Sequence, residues 1–286
     1  MKLERLRKLQ FVAKSEVLDL FAGMYHSAFK GKGLEIEDLR EYVAGDDIRS
    51  ISWTKTAQMG RPIIKNFKEE RDLTAIFIVD GSYSHRFGTT GTSKKERIAE
   101  IVALLSMCAM ANHDRVGLIL FSSKVEKYIP AKRGLKHGTR LIRELLSFEP
   151  EEKGTNLQAA LSFLVKVIKK RVICFLLSDF IDKGYEKSFE IAAHKDDLIA
   201  IHVVDPFEKK LDPLGLVRFE DLESGSLSFV DLTPSFVEAA AKKEQERLKE
   251  LQSLVAKTGA SFLEIDTKKP FEPVLRAFFR QRKRRR

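Results

Sequence analysis

The chain has 286 residues and a mass of 32.6 kDa, enough for one large domain or two ordinary ones. Its 43% hydrophobic residues supply a core and exclude a disordered chain, while 16 glycines and 8 prolines exclude collagen-like and low-complexity sequences. The formal net charge is +10, but six of the basic residues lie in 280–286, which contain no acidic residue. The body of the protein is therefore only weakly basic.

The cysteines and the apolar segments point to a reducing compartment. Cys108 and Cys174 lie in apolar runs and form no C-x-x-C pair, so they are expected to be buried thiols and neither zinc ligands nor a redox-active pair. The beginning of the chain has no unbroken apolar segment of the kind a signal peptide needs. The best apolar stretch, 101–111, is too short to cross a bilayer. We therefore expect a cytoplasmic protein without a membrane span.

The leading segment is predicted to be a helix followed by a polar stretch. Residues 3–21 carry apolar side chains at spacings of mostly three and four, which predicts an amphipathic helix with a basic opposite face. Such a helix can lie on a membrane, but we expect it to pack on its own domain. Residues 22–72 are polar, contain several turn signals and have too few apolar residues for a separate core. Residues 1–72 are thus predicted to dock on the remainder of the chain.

From residue 73 onward, predicted strands alternate with predicted helices. Apolar runs and hairpin patterns predict strands at 73–79, 116–121, 125–129, 172–177, 198–204 and 261–265, and helical periodicity predicts helices at 93–112, 141–146, 157–169, 234–257 and after 265. This alternation predicts an α/β fold, a three-layer doubly wound mostly parallel sheet over 73–280. A β-hairpin is predicted as an insertion at about 206–231, and 281–286 form a basic tail.

Oxygen-bearing side chains follow two of the predicted buried strands. Asp80, Ser82 and Ser84 follow the first strand as an Asp-x-Ser-x-Ser pattern, Asp179 follows a later strand, and Thr155 precedes a helix. Because ligands bind beyond the carboxyl ends of the strands in such sheets, we expect these five residues to converge. All five offer hard oxygen ligands, which suit Mg²⁺ or Mn²⁺. Neutral hydroxyl ligands would leave the ion electropositive, so it would bind a carboxylate supplied by another protein.

A purely structural interpretation of the same residues is also open. Ser82 and Ser84 could be turn residues, and Asp80 and Asp179 could cap helices. The position of the pattern at a strand end, with an aspartate on the next buried strand, favours the metal site.

A second group of polar residues lies in the leading segment. Arg40, Asp46, Asp47, Arg49 and Trp53 surround a predicted turn. The acidic pair could act in catalysis, but we favour a turn in which the acids pair with the arginines. The single tryptophan is then expected to anchor the docking of this segment. We assign these five residues as candidate partner-binding residues.

Other motifs give weaker signals. Residues 88–95 imitate a phosphate-binding P-loop but depart from it at Ser93 and Lys95 and begin too far after the strand. The six histidines are scattered, and neither a zinc hydrolase motif nor a G-x-S-x-G motif is present. The arginine tail could bind phosphates, yet the body lacks interleaved aromatic and basic residues, so we expect nucleic acid not to be the main partner.

The order of several short motifs resembles one protein family. The motifs, in chain order, are residues 31–36 (GKGLEI), 40–42 (REY), 45–49 (GDDIR), 51–53 (ISW), 60–62 (GRP), 69–73 (EERDL), 114–118 (DRVGL) and 178–180 (SDF). On these motifs the chain resembles the bacterial domain-of-unknown-function 58 family, which has a von Willebrand factor A-like fold.

The resemblance implies a metal-ion-dependent adhesion site. In that site Ser82, Ser84 and Thr155 would contact the ion directly or nearly so, and Asp80 and Asp179 would hold it through water or one oxygen. The pair His85-Arg86, directly after the site, departs from the family pattern of a small or apolar residue, and extra positive charge there would oppose a divalent ion.

Relatives of this kind are commonly encoded beside MoxR-type AAA+ ATPases, so the resemblance implies an adaptor to such a machine and not an enzyme. A metal-dependent hydrolase and a nucleic-acid-binding protein that uses the arginine tail are the alternatives. The adaptor remains our prediction.

Overall fold

The computed structural model describes residues 16–29, 34–69, 73–86, 88, 91–209, 211–220 and 226–285. Two compact units are present. The small unit is Phe29–Leu73, and the sheet unit combines Met1–Ala28 with Thr74–Arg286.

Helices and strands mostly alternate along the described residues. In chain order they are α1 (Glu16–Phe29), β1 (Leu34–Glu41), α2 (Trp53–Met59), β2 (Ile63–Glu69), β3 (Thr74–Asp80), α3 (Lys94–Ala111), β4 (Arg115–Phe121), β5 (Val125–Lys132), α4 (Leu135–Ser147), α5 (Leu157–Val167), β6 (Ile173–Ser178), α6 (Glu186–Lys195), β7 (Asp197–Val204), α7 (Pro206–Lys209), β8 (Gly215–Glu220), β9 (Leu227–Leu232), α8 (Pro234–Thr258), β10 (Ser261–Asp266) and α9 (Glu272–Arg285). Short 3₁₀ turns cover Ile48–Ser50 and Tyr83–Arg86.

The sheet unit is built on six strands in the order β10-β7-β6-β3-β4-β5. All neighbours pair in parallel except β4 and β5, which form the predicted antiparallel hairpin at one edge. The fold class is therefore the predicted one, an α/β fold with a three-layer, mostly parallel sheet. Because β3 and β6 are adjacent and parallel at the centre of the sheet, their carboxyl ends lie side by side.

Helices cover both faces of the sheet, which is why its strands are continuous apolar runs. One face packs Ile76, Ile78 and Leu176 with residues of α5, α6 and α8 in a single buried cluster. Phe77 and Phe175, which are register partners on β3 and β6, stack with ring centroids 5.3 Å apart. Side chains alternate along each strand, so this stacked pair lies on the opposite face from that cluster.

The first helix extends further than predicted. The part predicted before residue 16 lies outside the described residues, and the predicted end at residue 21 is wrong because α1 continues to Phe29. The apolar spacing of three and four continues through Phe21, Tyr25 and Ala28, which are all buried. Phe21 and Tyr25 each make an edge contact with Phe279 of α9. The helix therefore packs on its own domain, as expected.

The end of the chain is helical through Arg285. Arg282 donates from Nη1 to Ser261 Oγ at 3.0 Å and from Nε to the Ala28 carbonyl at 3.3 Å, and it also pairs with Asp197. This residue of the predicted basic tail is therefore a structural contact of the sheet unit. The predicted inserted hairpin is also present, formed by β8 and β9.

Candidate metal site

The predicted site lies where β3 and β6 end. Asp80 is the last residue of β3, and Ser178 is the last residue of β6, directly before Asp179. Both aspartates are buried, with 2% and 4% of their surfaces exposed. Parallel pairing of the two strands brings these residues to one edge of the sheet.

Asp80 is fixed by neighbours on both strands. Its Oδ1 accepts a hydrogen bond from the backbone N–H of Ser82 at 3.0 Å, and its Oδ2 accepts one from Ser178 Oγ at 2.8 Å. Ser178 Oγ in turn accepts a hydrogen bond from the N–H of Phe180 at 3.1 Å. One hydroxyl group therefore connects the two chain segments that form the site.

The two serines of the Asp-x-Ser-x-Ser pattern point at each other, and Ser84 also contacts Asp179. The Oγ atoms of Ser82 and Ser84 are 2.9 Å apart, and Ser84 Oγ donates to Asp179 Oδ2 at 3.3 Å. Ser82 is buried and Ser84 is half-buried. The alternation of the pattern thus places both hydroxyls on the same side of the turn after β3.

The residue after Asp179 has an unusual backbone conformation. Phe180 adopts φ 55°, in the left-handed region that non-glycine residues rarely occupy. Arg247 of α8 donates from Nη1 to the carbonyls of both Asp179 and Phe180, at 2.7 Å each. These contacts hold the turn that directs the Asp179 carboxylate toward the serines.

His85 joins the site from the turn after Ser84. It is 1% exposed, and its Nε2 is 3.2 Å from Asp80 Oδ2, an ion-pair distance without hydrogen-bond geometry. Burial lowers the pKa of His85, but attraction to the Asp80 and Asp179 carboxylates outweighs that effect and raises the pKa above its usual value. One ligand atom from each of the three residues lies within 4.8 Å of the others.

Lys94 brings a second positive charge. This first residue of α3 is completely buried, and its Nζ is 3.3 Å from Asp179 Oδ2 and 2.6 Å from Glu208 Oε1. Burial alone would lower the pKa of Lys94, yet the two carboxylates raise it, so the ammonium is charged. For Asp179, burial alone would raise the pKa, but the positive charges of His85 and Lys94 lower it to about 2.

Thr155 is not joined to the other four predicted ligands by a hydrogen bond in the part of the chain that the structure describes. It lies half-buried in the loop before α5. That loop is anchored by the N–H of Asn156, which donates to the Ser122 carbonyl at 2.8 Å, and by the N–H of Leu157, which donates to Asp182 Oδ2 at 2.7 Å. As a ligand, Thr155 stays a prediction.

The hydroxyl and carboxylate oxygens that meet here are of the type that a hard divalent cation binds. Two ligands bonded side by side to octahedral Mg²⁺, each at about 2.1 Å, lie about 3.0 Å apart. The Oγ atoms of Ser82 and Ser84 come close to this separation, since they are 2.9 Å apart. Ser82, Ser84 and Asp179 are the residues that would hold the ion directly, with Asp80 behind them.

The second predicted group lies in the small unit. Arg40 makes a bidentate ion pair with Asp46, with both N–O distances 2.7 Å, and Asp46 also accepts a hydrogen bond from the N–H of Val43. The hydrogen bonds that the Arg40 guanidinium donates to Asp46 lower the pKa of Asp46. Asp47 Oδ1 accepts from the N–H of Arg49 at 3.0 Å and caps a 3₁₀ turn.

Trp53, the remaining residue of that group, is 69% exposed. Of the two acids, Asp46 pairs with the Arg40 guanidinium as the favoured interpretation expects, whereas Asp47 accepts its described hydrogen bond from the backbone N–H of Arg49 and not from the guanidinium. The role of these five residues in binding a partner stays a prediction.

Sequence reasoning did not assign Lys94, Glu208 or Arg247 to the site. In the sequence, Lys94 stands only in the imitation P-loop, although the Ser93–Glu96 capping box marks it as the first residue of a helix. Glu208 and Arg247 lie far along the chain, and neither stands in a pattern that signals their contacts. The position of His85 directly after the Asp-x-Ser-x-Ser pattern is evident from the sequence, but its burial is not.

No helix in the described ranges has both the length and the apolar character needed to span a membrane.

The chain is similar to several known proteins. A family model described as "Protein of unknown function DUF58" matches residues 38–250. Uncharacterized protein Rv1480 of Mycobacterium tuberculosis is 23% identical over 282 residues, which are 98% of this chain and 89% of that protein. Uncharacterized protein Mb1516 of Mycobacterium bovis matches to the same extent.

Two solved structures are also similar. The conserved hypothetical protein BatB from Bacteroides thetaiotaomicron matches with a TM-score of 0.49 and 14% identity over 74% of this chain and 99% of that chain. The SpRpn10 VWA domain matches with a TM-score of 0.38 and 12% identity over 73% of this chain and 94% of that chain.

Proposed function

This chain belongs to the DUF58 family of proteins of unknown function, and from its site we propose that it is a non-enzymatic adaptor. It would bind a partner protein through a divalent cation, Mg²⁺ or Mn²⁺, held at the carboxyl ends of β3 and β6. The observation that carries this proposal is the convergence of Ser82, Ser84 and Asp179, with the two hydroxyl oxygens 2.9 Å apart.

The chemistry of the ligands suggests what the partner supplies. An ion held by two neutral hydroxyl groups and one carboxylate keeps a net positive charge and has coordination positions left for other oxygens. A carboxylate from an Asp or Glu of another protein meets both requirements. On the strength of the family resemblance, we propose a MoxR-type AAA+ ATPase as that partner.

The first test is metal binding measured by calorimetry. We expect one site for Mn²⁺ and Mg²⁺ in the wild-type chain and no site in the Asp179→Ala variant. The exposed Asp212 provides the control, since Asp212→Ala removes an acidic group from a loop with no contact to the site among the described residues. Equal binding by both variants would place the metal elsewhere and overturn the proposal.

The second test addresses the partner. The wild-type chain, immobilised on resin, should retain a purified MoxR-type ATPase in the presence of Mn²⁺ and release it when EDTA is added. Asp179→Ala should retain none, and Asp212→Ala should behave as wild type. If the ATPase is retained equally with and without EDTA, and equally by wild type and Asp179→Ala, the ion does not mediate the contact.

A metal-dependent hydrolase is the second candidate, because the structure places His85 beside the predicted ligands. A general base must accept a proton, and a histidine held between two carboxylates with a raised pKa is poorly suited to that role. Turnover of a generic phosphoester or carboxylic ester with Mn²⁺, lost in His85→Ala, would favour the hydrolase over the adaptor.

A further inference from the structure

Lys94 is an unusual component of a cation-binding site. Lysine is rarely buried completely unless it is paired, and Lys94 has 0% of its surface exposed. It is also the first residue of α3, where the positive end of the helix dipole disfavours a cation. Its position therefore depends on the two carboxylates that it contacts, Asp179 and Glu208.

The two carboxylates come from different parts of the sheet unit. Asp179 follows β6, and Glu208 lies in the short helix α7, directly after β7. Glu208 is itself held in place, because its Oε2 accepts a hydrogen bond from the N–H of Asp205 at 3.1 Å. The ammonium of Lys94 thus connects the predicted metal site to the segment that leads into the inserted hairpin.

The contact with Asp179 involves the oxygen that a metal would use. Asp179 Oδ2 is 3.3 Å from Lys94 Nζ and also accepts the hydrogen bond from Ser84 Oγ at 3.3 Å. Ser84 is one of the residues that would hold the ion, so a cation that binds Ser84 and Asp179 meets the ammonium at the same oxygen. Glu208, in contrast, has no contact with the two serines among the described residues, and it is the nearer partner of Lys94, at 2.6 Å.

We propose that the Lys94 ammonium is a built-in competitor of the divalent cation, and that Glu208 retains this ammonium when the cation takes Asp179. The proposal rests on the function proposed above. In this competition, the Lys94 ammonium balances the charge of Asp179 when no metal is bound, and it moves toward Glu208 when a metal ion binds. Metal occupancy would then be communicated to α7 and to the hairpin that follows it.

Two substitutions should change metal affinity in opposite directions. Lys94→Met keeps the length of the side chain and removes the competing charge, so it should tighten Mn²⁺ binding about tenfold or more. Glu208→Gln removes the alternative partner and leaves the ammonium on Asp179, so it should weaken Mn²⁺ binding. In the double variant the competitor is absent, and the affinity should equal that of Lys94→Met.

The matched controls use an ion pair outside the site. Lys127 of β5 pairs with Glu144 of α4, and neither residue has a described contact with the site. Lys127→Met and Glu144→Gln make the same chemical changes and should leave Mn²⁺ affinity within about twofold of wild type.

The calorimetric outcomes separate this inference from the function on which it rests. Tighter binding by Lys94→Met together with weaker binding by Glu208→Gln supports the inference. Equal affinity in wild type, Lys94→Met and Glu208→Gln overturns the inference and leaves the metal site standing. No binding even by Lys94→Met, with the competitor removed, overturns both.

A second readout covers loss of stability in the variant. Without Lys94, Asp179 and Glu208 face each other with no ammonium between them, so the Lys94→Met variant should melt at a lower temperature than wild type in EDTA. Mn²⁺ should raise its melting temperature more than it raises that of wild type, because tighter binding of metal stabilises the folded state more. A smaller or equal rise would contradict the competition.

Discussion

The Asp179–Phe180 turn shows how single residues far apart in the sequence fix the geometry of the site. A non-glycine residue in the left-handed region costs about 1–2 kcal/mol, so Phe180 needs compensating contacts. Its buried ring and the two hydrogen bonds from Arg247 provide them. Arg247 is therefore a positioning residue, which acts on the predicted metal ligand through the backbone.

The role of Arg247 can be tested by removing its hydrogen bonds. Arg247→Met leaves two carbonyls without their donor, so the free energy of unfolding in urea should fall by about 2–3 kcal/mol. Glu244→Gln is the control, because Glu244 pairs with the same guanidinium but has no described contact with the turn. A loss in Arg247→Met no larger than that in Glu244→Gln would show that the turn does not need the arginine.

Asp196 gives a pH-dependent test at a buried carboxylate outside the site. Its Oδ1 accepts a hydrogen bond from the N–H of Val172 at 3.0 Å, and burial, the largest influence, raises its pKa above the usual value. The folded state therefore holds its proton to higher pH than the unfolded state does. Stability must then fall as pH rises from 3.8 through the raised pKa, because ionised Asp196 is disfavoured by burial.

The Asp196→Asn variant lacks this titration but keeps an oxygen that can accept the hydrogen bond from Val172. Relative to the variant, wild type should lose stability as pH rises through that window and then keep a constant deficit up to neutral pH. Chemical denaturation at several pH values measures the difference. A difference that does not change with pH would contradict the raised pKa, and the exposed Asp212→Asn should show no such trend.

At the scale of elements, the sequence pattern is sufficient for the architecture. Continuous apolar runs predict the central strands because helices on both faces bury them completely. The helix predicted at 93–112 and the observed Lys94–Ala111 agree because a capping box fixes its start. The predicted end of α1 at residue 21 is wrong because the apolar spacing continues through Tyr25 and Ala28. The aromatic residues Phe21 and Tyr25 are buried against Phe279, far along the chain.

The part of the candidate site that lies at the strand ends is predictable, including Asp179, which the parallel pairing of β3 and β6 brings to Ser84. Asp80, Ser82 and Ser84 stand within one short turn, and their alternation alone places the hydroxyls together. The contacts of Lys94, Glu208 and Arg247 depend on how separate crossovers bring loops to the same edge of the sheet. Such juxtapositions arise from tertiary packing, and no local period or spacing records them.

The start of α3 is the element on which the position of Lys94 depends. Ser93 Oγ accepts a hydrogen bond from the N–H of Glu96 at 3.2 Å, and Glu96 Oε2 accepts one from the N–H of Ser93 at 3.1 Å. Ser93→Ala should therefore lower the free energy of unfolding by about 1 kcal/mol. Ser93→Thr, which keeps the hydroxyl, should lose less, and equal losses in thermal or urea unfolding would show that the cap is not responsible.

At the scale of the sheet unit, a residue of the last helix, α9, joins three segments of the chain. Arg282 of α9 connects the carbonyl of Ala28 at the end of α1 with Ser261 and Asp197, which lie at the beginnings of β10 and β7. The three contacts bring together segments that are distant in the sequence. The most basic stretch of the sequence therefore contains a residue with a structural role, and the alternative of a nucleic-acid-binding tail has to be tested against that role.

Two variants of equal charge separate these roles. Arg282→Met removes the three contacts and should lower the free energy of unfolding by about 2–3 kcal/mol, because hydrogen bonds to charged groups are among the strong ones. Arg284→Met removes the same charge from an exposed position and should change stability by less than about 0.5 kcal/mol. If the tail binds nucleic acid, both variants should weaken retention on single-stranded DNA to a similar degree, since phosphate contacts follow charge. A large stability loss confined to Arg282→Met, with no salt-dependent DNA retention by wild type, would show that Arg282 has a structural role and that the tail does not bind nucleic acid. Equal stability of the two variants would show that Arg282 has no structural role.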